Sequence, residues 1–238
     1  MDTASTKRIV GGVVIAGAAG IAGYEIRRGK LRNWGATRQE IARVFPGDDL
    51  VPDATYESTR AVTIDAPRSA VWPWLAQMGY RRGGLYSYDW LDRLFGYLDA
   101  PSAERVLPEF QNLKPGDTIP TGRGPSWPVR VAEPERALVL EPVKGRITWS
   151  FYLVPRADGA ATRLVTRVRC APPASLAERL TMTLMDPAAF VMTRGMLLGI
   201  KRRAEALERA REAEEDAPAR EEEDAIELLA CDALMPVG

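Results

Sequence analysis

Two neighbouring stretches of alternating character restrict this chain more than any other feature. Over residues 147–154 (ITWSFYLV) and 162–170 (TRLVTRVRC) apolar and polar side chains take turns, and Asp158-Gly159 stands between them as a turn signal. A period of two belongs to strands with one face in a core, so the pair reads as an antiparallel hairpin with a loop longer than the ideal two residues. In the second strand Leu164, Thr166, Val168 and Cys170 share one face, and Arg163, Arg167 and Arg169 share the other, expected to be solvated. In the first, Trp149, Phe151 and Leu153 share the inner face. After Pro172-Pro173 the period changes. Ser175 is placed to cap a helix, Asp186-Pro187 to interrupt it, and a longer helix then carries Phe190, Met192, Met196, Leu197 and Ile200 on its apolar side.

The rest of the chain fits around that hairpin and helix. Residues 60–65 alternate as a strand, and Pro67 opens a helix bearing Val71, Trp72, Leu75 and Met78. Thr37 caps a short helix, with Ile41 and Val44 on its buried face, that ends at Pro46-Gly47. Short strands are expected at residues 118–120, 129–132 and 137–140, and a helical insertion in the aromatic-rich segment at residues 88–95. Strand, helix, several antiparallel strands and a long C-terminal helix make an α+β chain. The economical way to bury both apolar faces is a curved antiparallel sheet around one helix, which commonly leaves a pocket between them. With 238 residues the length supports one domain, at residues 34–210, flanked by residues 1–33 and by an acidic, disordered tail at 211–238.

Composition removes several functions. There is no histidine, so a Ser-His-Asp or Cys-His hydrolase is excluded, and a zinc site lacks its commonest nitrogen ligand. The sequence calls for neither a metal nor a cofactor. Lys plus Arg (32) balances Asp plus Glu (32), so no global field draws the chain to nucleic acid. The TGRG segment at 121–124 lacks the Lys-Ser/Thr of a phosphate loop. Of two cysteines, Cys170 falls in a strand and Cys231 in the tail, without CxxC spacing.

Residues 9–24 (IVGGVVIAGAAGIAGY) carry no charge and read as a transmembrane-type helix, although shorter than the roughly 20 residues a span usually takes. Gly12, Ala16 and Gly20 recur every four residues, a spacing that would let two such helices approach closely as a homodimer. Arg27, Arg28, Lys30 and Arg32 follow, and positive charge at that flank favours its retention in the cytoplasm. The expectation is an uncleaved membrane anchor with a cytoplasmic domain. A cleaved signal with export is the alternative, since Lys7-Arg8 and Ala16-Gly17-Ala18 also fit that pattern.

Six segments resemble the SRPBCC superfamily, the START, polyketide-cyclase and pollen-allergen-like helix-grip proteins, in an actinobacterial-type branch. They are WGATRQE (34–40), PGDDLVPD (46–53), TRAVTIDAPRSAVWPWLAQMG (59–79), GGLYSYDWL (83–91), PEFQNLKPGD (108–117) and VAEPERALVL (131–140). The resemblance implies a helix-grip fold with an internal hydrophobic cavity. Phe110 stands where many relatives carry tryptophan. Relatives bind sterols, lipids, polyketides or plant hormones, and some catalyse cyclisation or hydrolysis, so membership by itself selects no function.

The resemblance brings Tyr86, Tyr88, Trp90, Phe110, Trp127, Trp149 and Phe151 toward the cavity as an aromatic wall suited to a mostly apolar ligand; core filling is the plain alternative. Asp89 and Glu109 are the acids considered for proton transfer, with capping or pairing to arginine as the alternative for Asp89. Arg123 is the candidate for an anionic headgroup, against a solvated loop arginine. In the tail, Ile226, Leu228, Leu229 and Leu234 follow an acidic block and could dock in a protein partner. Three readings stay open: membrane-tethered binding of a hydrophobic small molecule, a cyclase or dehydratase acting on a hydrophobic carbonyl substrate, and an assembly module recruited through its tail.

Overall fold

The computed structural model describes residues 29–233, with side chains through residue 217. The expected N-terminal helix at residues 9–24, with Gly12, Ala16 and Gly20, lies outside the described residues. Among those described, no helix is long and apolar enough to cross a membrane.

The main elements among the described residues are α1 (Arg38–Ala42), β1 (Tyr56–Ile64), α2 (Arg68–Ala76), α3 (Asp89–Leu94), β2 (Thr118–Ile119), β3 (Trp127–Glu133), β4 (Ala137–Val143), β5 (Ile147–Arg156), β6 (Ala161–Cys170) and α4 (Leu176–Ala233). The sheet runs β1-β6-β5-β4-β3-β2, with every neighbour antiparallel. Short connections explain the order, because hairpins join β2 through β6 in sequence and only β1 must close the far edge beside β6. Register shifts between Val129 and Val131 and between Leu140 and Val143 interrupt the ladder and bend the sheet.

The inner face is packed under α2 and α4. Ile64, Leu138, Leu140, Phe151, Leu153 and Leu164 meet Val71, Trp74 and Leu75 of α2 and Met196, Leu197, Ile200 and Ala204 of α4. Each large side chain buried in this way contributes about 1.5–3 kcal/mol relative to exposure. The arrangement is the expected α+β one, an antiparallel sheet with a long C-terminal helix packed on it.

The outer face differs from the sequence expectation. Arg163, Arg167 and Arg169 do point away from the core, yet their side chains are only 11%, 2% and 16% exposed. The segment from Thr37 to Val51 folds over them and supplies acceptors: Glu40 to Arg163, and Asp48 together with the Glu40, Ile41 and Arg43 carbonyls to Arg167. Glu57 on β1 pairs with Arg169. Phe45 stacks on Tyr152 at 4.1 Å, with Arg167 4.8 Å from its ring centroid. Phe45 is therefore the buried anchor here, and Val44, expected inside, is 83% exposed. Thr37 caps α1 as expected, and Glu40 completes a capping box.

The long helix departs from expectation at Asp186-Pro187, where it continues unbroken. Side chains hold this turn from outside: Asp186 accepts from the Tyr56 hydroxyl at 2.7 Å and Arg32 Nε at 2.9 Å, and Phe190 packs edge-on against Trp34 at 6.4 Å. Ser175 caps the start through the Glu178 N–H. As backbone, the same helix passes Pro218 and runs to Ala233, the last described residue. Tail residues Ile226, Leu228, Leu229 and Leu234 lie outside the described side chains.

Candidate functional site

A cavity of about 290 Å³ opens between the inner face of the sheet and α4. The sheet contributes Trp127, Trp149 and Val168, and α4 contributes Ala189, Met192, Thr193 and Met196. Those helical positions recur at three- and four-residue steps and so face one way. Leu85, Ser87 and Tyr97 close one side, and Thr121 and Pro125 another. The volume is at the low end of the about 300–1,000 Å³ common for small-molecule sites.

The aromatic wall is stiff. Trp127 meets Trp149 edge-on at 4.9 Å, and Trp149 leans on Phe151 at 5.0 Å. Trp149 donates its Nε1–H to Thr166 Oγ1 at 3.1 Å, which orients the indole, and Phe151 lies behind it, fully buried.

Other aromatics expected at the cavity have different work. Tyr86 is 1% exposed in the core, edge-on to Trp74 at 5.9 Å, and holds a positive φ of 58° that a non-glycine residue rarely adopts. Burial pushes its phenol well above the ordinary value, and Arg203 lies 5.0 Å from its ring centroid. Tyr88 precedes α3 and rests on Gly195, where an added Cβ would come within 2.7 Å of the ring. Trp90 is 67% exposed and is not among the residues that line this cavity. Phe110 carries the Arg82 guanidinium 4.5 Å from its ring centroid in a separate, polar depression, which exposed Glu109 also borders.

Asp89 is a fastener. Its carboxylate accepts from the Ser102 N–H at 3.0 Å and the Ser102 hydroxyl at 2.7 Å, and the same Ser102 oxygen receives the Tyr86 N–H at 3.1 Å. That ring of bonds holds the strained turn at Tyr86. The 108–117 segment is fastened likewise, because Gln111 Nε2 donates to Gln77 Oε1 at 3.1 Å, and Gln77 is fully buried. The motifs that carry the resemblance are thus largely architectural.

Arg123 lies with its Cδ only 2.6 Å from where a Cβ on Gly96 would stand, beside Arg93 and Tyr80 in an open depression of about 420 Å³. The residue itself is exposed. It borders this second depression and not the apolar cavity.

The polar group that sequence reasoning missed is Ser87 with Asp92. Ser87 lines the cavity and donates its hydroxyl to Asp92 Oδ2 at 2.5 Å. Asp92 is fully buried, and its Oδ1 meets no donor among the described residues. Burial, with a smaller contribution from the Asp89 charge, raises its carboxyl above the ordinary range despite the Ser87 hydrogen bond. Two other hydroxyls face the cavity: Thr121 donates to the Pro125 carbonyl at 2.6 Å, and Thr193 accepts from Arg60 Nη1 at 3.3 Å. Among the described residues no group of three His, Cys, Asp or Glu side chains could hold a metal ion.

No family model matches the chain, and no curated protein does. Solved structures match it weakly. CalU16 from Micromonospora echinospora is 18% identical over 63% of this chain and 84% of its own, with a TM-score of 0.31. The polyketide-cyclase-like protein Cgl2372 from Corynebacterium glutamicum is 17% identical over 68% of this chain and 94% of its own, at 0.30. Ms6760 from Mycobacterium smegmatis is 17% identical over 68% and 93%, at 0.35. Overlap this loose carries nothing about ligand or reaction.

Proposed function

We propose that the protein binds a hydrophobic small molecule in the cavity between sheet and α4, while its N-terminal segment tethers it to a membrane with the domain on the cytoplasmic side. The observation that carries the binding reading is the cavity itself, about 290 Å³ with Trp127, Trp149, Val168, Met192 and Met196 among its walls. Apolar walls with few hydroxyls favour a ligand that is mostly hydrocarbon with one polar end. No step of such binding needs a metal or cofactor.

The tether reading draws on residues 9–24 and on where the chain enters the domain. Arg32 binds Asp186 and Trp34 packs on Phe190, within a turn of Ala189 and Met192 at the cavity. On the turns before them Leu176, Leu180 and Leu184 are exposed at four-residue spacing. A bilayer holding the anchor would be within reach of that face, and it would dissolve the kind of ligand the cavity suits.

Native mass spectrometry of the protein purified from its own host in mild detergent tests the binding reading. A stoichiometric apolar compound, released on denaturation, is the expected result. A bare chain mass that persists after soaking in mixed lipid extract would overturn it.

Proton-transfer catalysis on a hydrophobic carbonyl substrate is a second reading, and Asp92 favours it over the acids first considered. Its buried, raised carboxyl reaches the cavity through Ser87, whereas Asp89 is committed to Ser102 and Glu109 is exposed elsewhere. Turnover lost in Asp92→Asn with ligand still bound would identify an enzyme.

A further inference from the structure

Resting on the binding reading, we infer that Ser87 is the polar end of the cavity and that Asp92, by accepting the Ser87 O–H as a hydrogen bond, makes the site select ligands that bring a hydroxyl donor, a phenol or an alcohol.

The bookkeeping of donors supports this. Ser87 has one O–H, and it points at Asp92 Oδ2. What remains toward the cavity is lone pairs, which can only accept. Thr121 has likewise spent its proton on the Pro125 carbonyl. At Ser87 an apolar ligand carrying O–H therefore gains a hydrogen bond, and an ether or carbonyl oxygen placed there meets oxygen with oxygen; Thr193, which accepts from Arg60 and keeps its own proton, stands apart on α4. The discrimination is sharp because the wall around these hydroxyls is aromatic and aliphatic, so an unpaired polar atom finds little water to replace its partner.

Asp92 is what holds this polarity in place. It is fully buried on α3, beneath Ser87, and its backbone is tied at both sides: its N–H to the Tyr88 carbonyl at 2.9 Å, and its carbonyl to the Tyr97 N–H at 2.7 Å. Tyr97 itself lines the cavity, so the segment that carries the carboxylate also shapes the wall. Asp92 acts through Ser87 and is a positioning residue; Ser87 is the one that would touch the ligand.

The experiment is a titration calorimetry cycle on the full chain, with 2-naphthol and 2-methoxynaphthalene as probes. They share the bicyclic body and differ in the donor. The quantity read is the ratio of Kd for the ether to Kd for the naphthol, compared between the unaltered protein and Ser87→Ala, so that the probes' unequal hydrophobicity cancels. We expect the ratio to fall about tenfold in Ser87→Ala, the worth of one hydrogen bond in an apolar site, through weaker naphthol binding alone. Asp92→Asn should lower it too, because an amide can donate to Ser87 and release its proton toward the ligand; thermal melts identify a variant that has lost its fold. A ratio unchanged in Ser87→Ala, with both probes still bound, overturns the inference and leaves the cavity reading intact. Failure of the unaltered protein to bind either probe overturns both.

Discussion

Arg167 shows how a residue that looks solvated in sequence becomes central to stability. It is 2% exposed, paired to Asp48 at 2.7 Å, and hydrogen-bonded to Thr59 and three backbone carbonyls. Removing one partner of such a pair leaves the other charge buried without compensation, which typically costs about 3–5 kcal/mol. Arg167→Ala should therefore lower unfolding stability by about that amount in a urea melt. Arg136→Ala, at an exposed pair with Glu133, should change it by less than about 1 kcal/mol. Asp92 gives the pH counterpart. Its carboxyl is raised in the folded state above the ordinary 3.8, so the folded protein holds this proton more tightly than the unfolded chain. Stability from this group is greatest below the unfolded value and is lost as pH rises through the higher folded value. The stability of Asp92→Asn relative to the unaltered protein should consequently be more favourable near pH 7 than near pH 4, read from paired urea melts. Sequence alone singled out Asp89 in the same motif. Two carboxylates three positions apart on a six-residue helix look alike until packing buries one of them.

At the scale of elements, α4 and the 83–91 loop are fitted to each other through missing side chains. A Cβ at Gly199 would lie 1.9 Å from the Tyr86 carbonyl oxygen, and one at Gly195 would lie 2.7 Å from the Tyr88 ring. In an ordinary helix interior, Gly to Ala stabilises by about 1 kcal/mol. Here the sign should reverse: Gly199→Ala is expected to destabilise by about 2 kcal/mol or more, since the loop backbone must move and the strained φ at Tyr86 leaves it little room. The periodicity of α4 was readable as an apolar helix, but the reason for its two glycines was not. That reason is the loop at Tyr86 and Tyr88, far earlier in the chain. The unbroken turn at Pro187 has the same origin, in Tyr56, Arg32 and Trp34 gripping the helix from outside.

For the whole molecule, access to the cavity runs past α4. Ala189 is exposed and lines the cavity, so it stands at the opening. Ala189→Trp should close that opening and reduce binding of 2-naphthol at least about tenfold while the melting temperature stays within a few degrees, since an exposed position tolerates bulk. The sequence by itself determined the alternation of β5 and β6, the strand and helix order, and the Thr37 and Ser175 caps, because these depend on neighbours a few residues apart. It also pointed to Trp149, whose inward face follows from the strand period, whereas Trp127 came only from the resemblance, because it lies before the strand expected at 129–132. Tertiary structure decided the rest: which carboxylate is buried, that Trp90 faces solvent and Phe110 a polar depression, and that three arginines are roofed over by residues 37–51. Burial and pairing across more than a hundred residues of chain are set by how the sheet curves and what covers it, and local pattern carries no record of that distance.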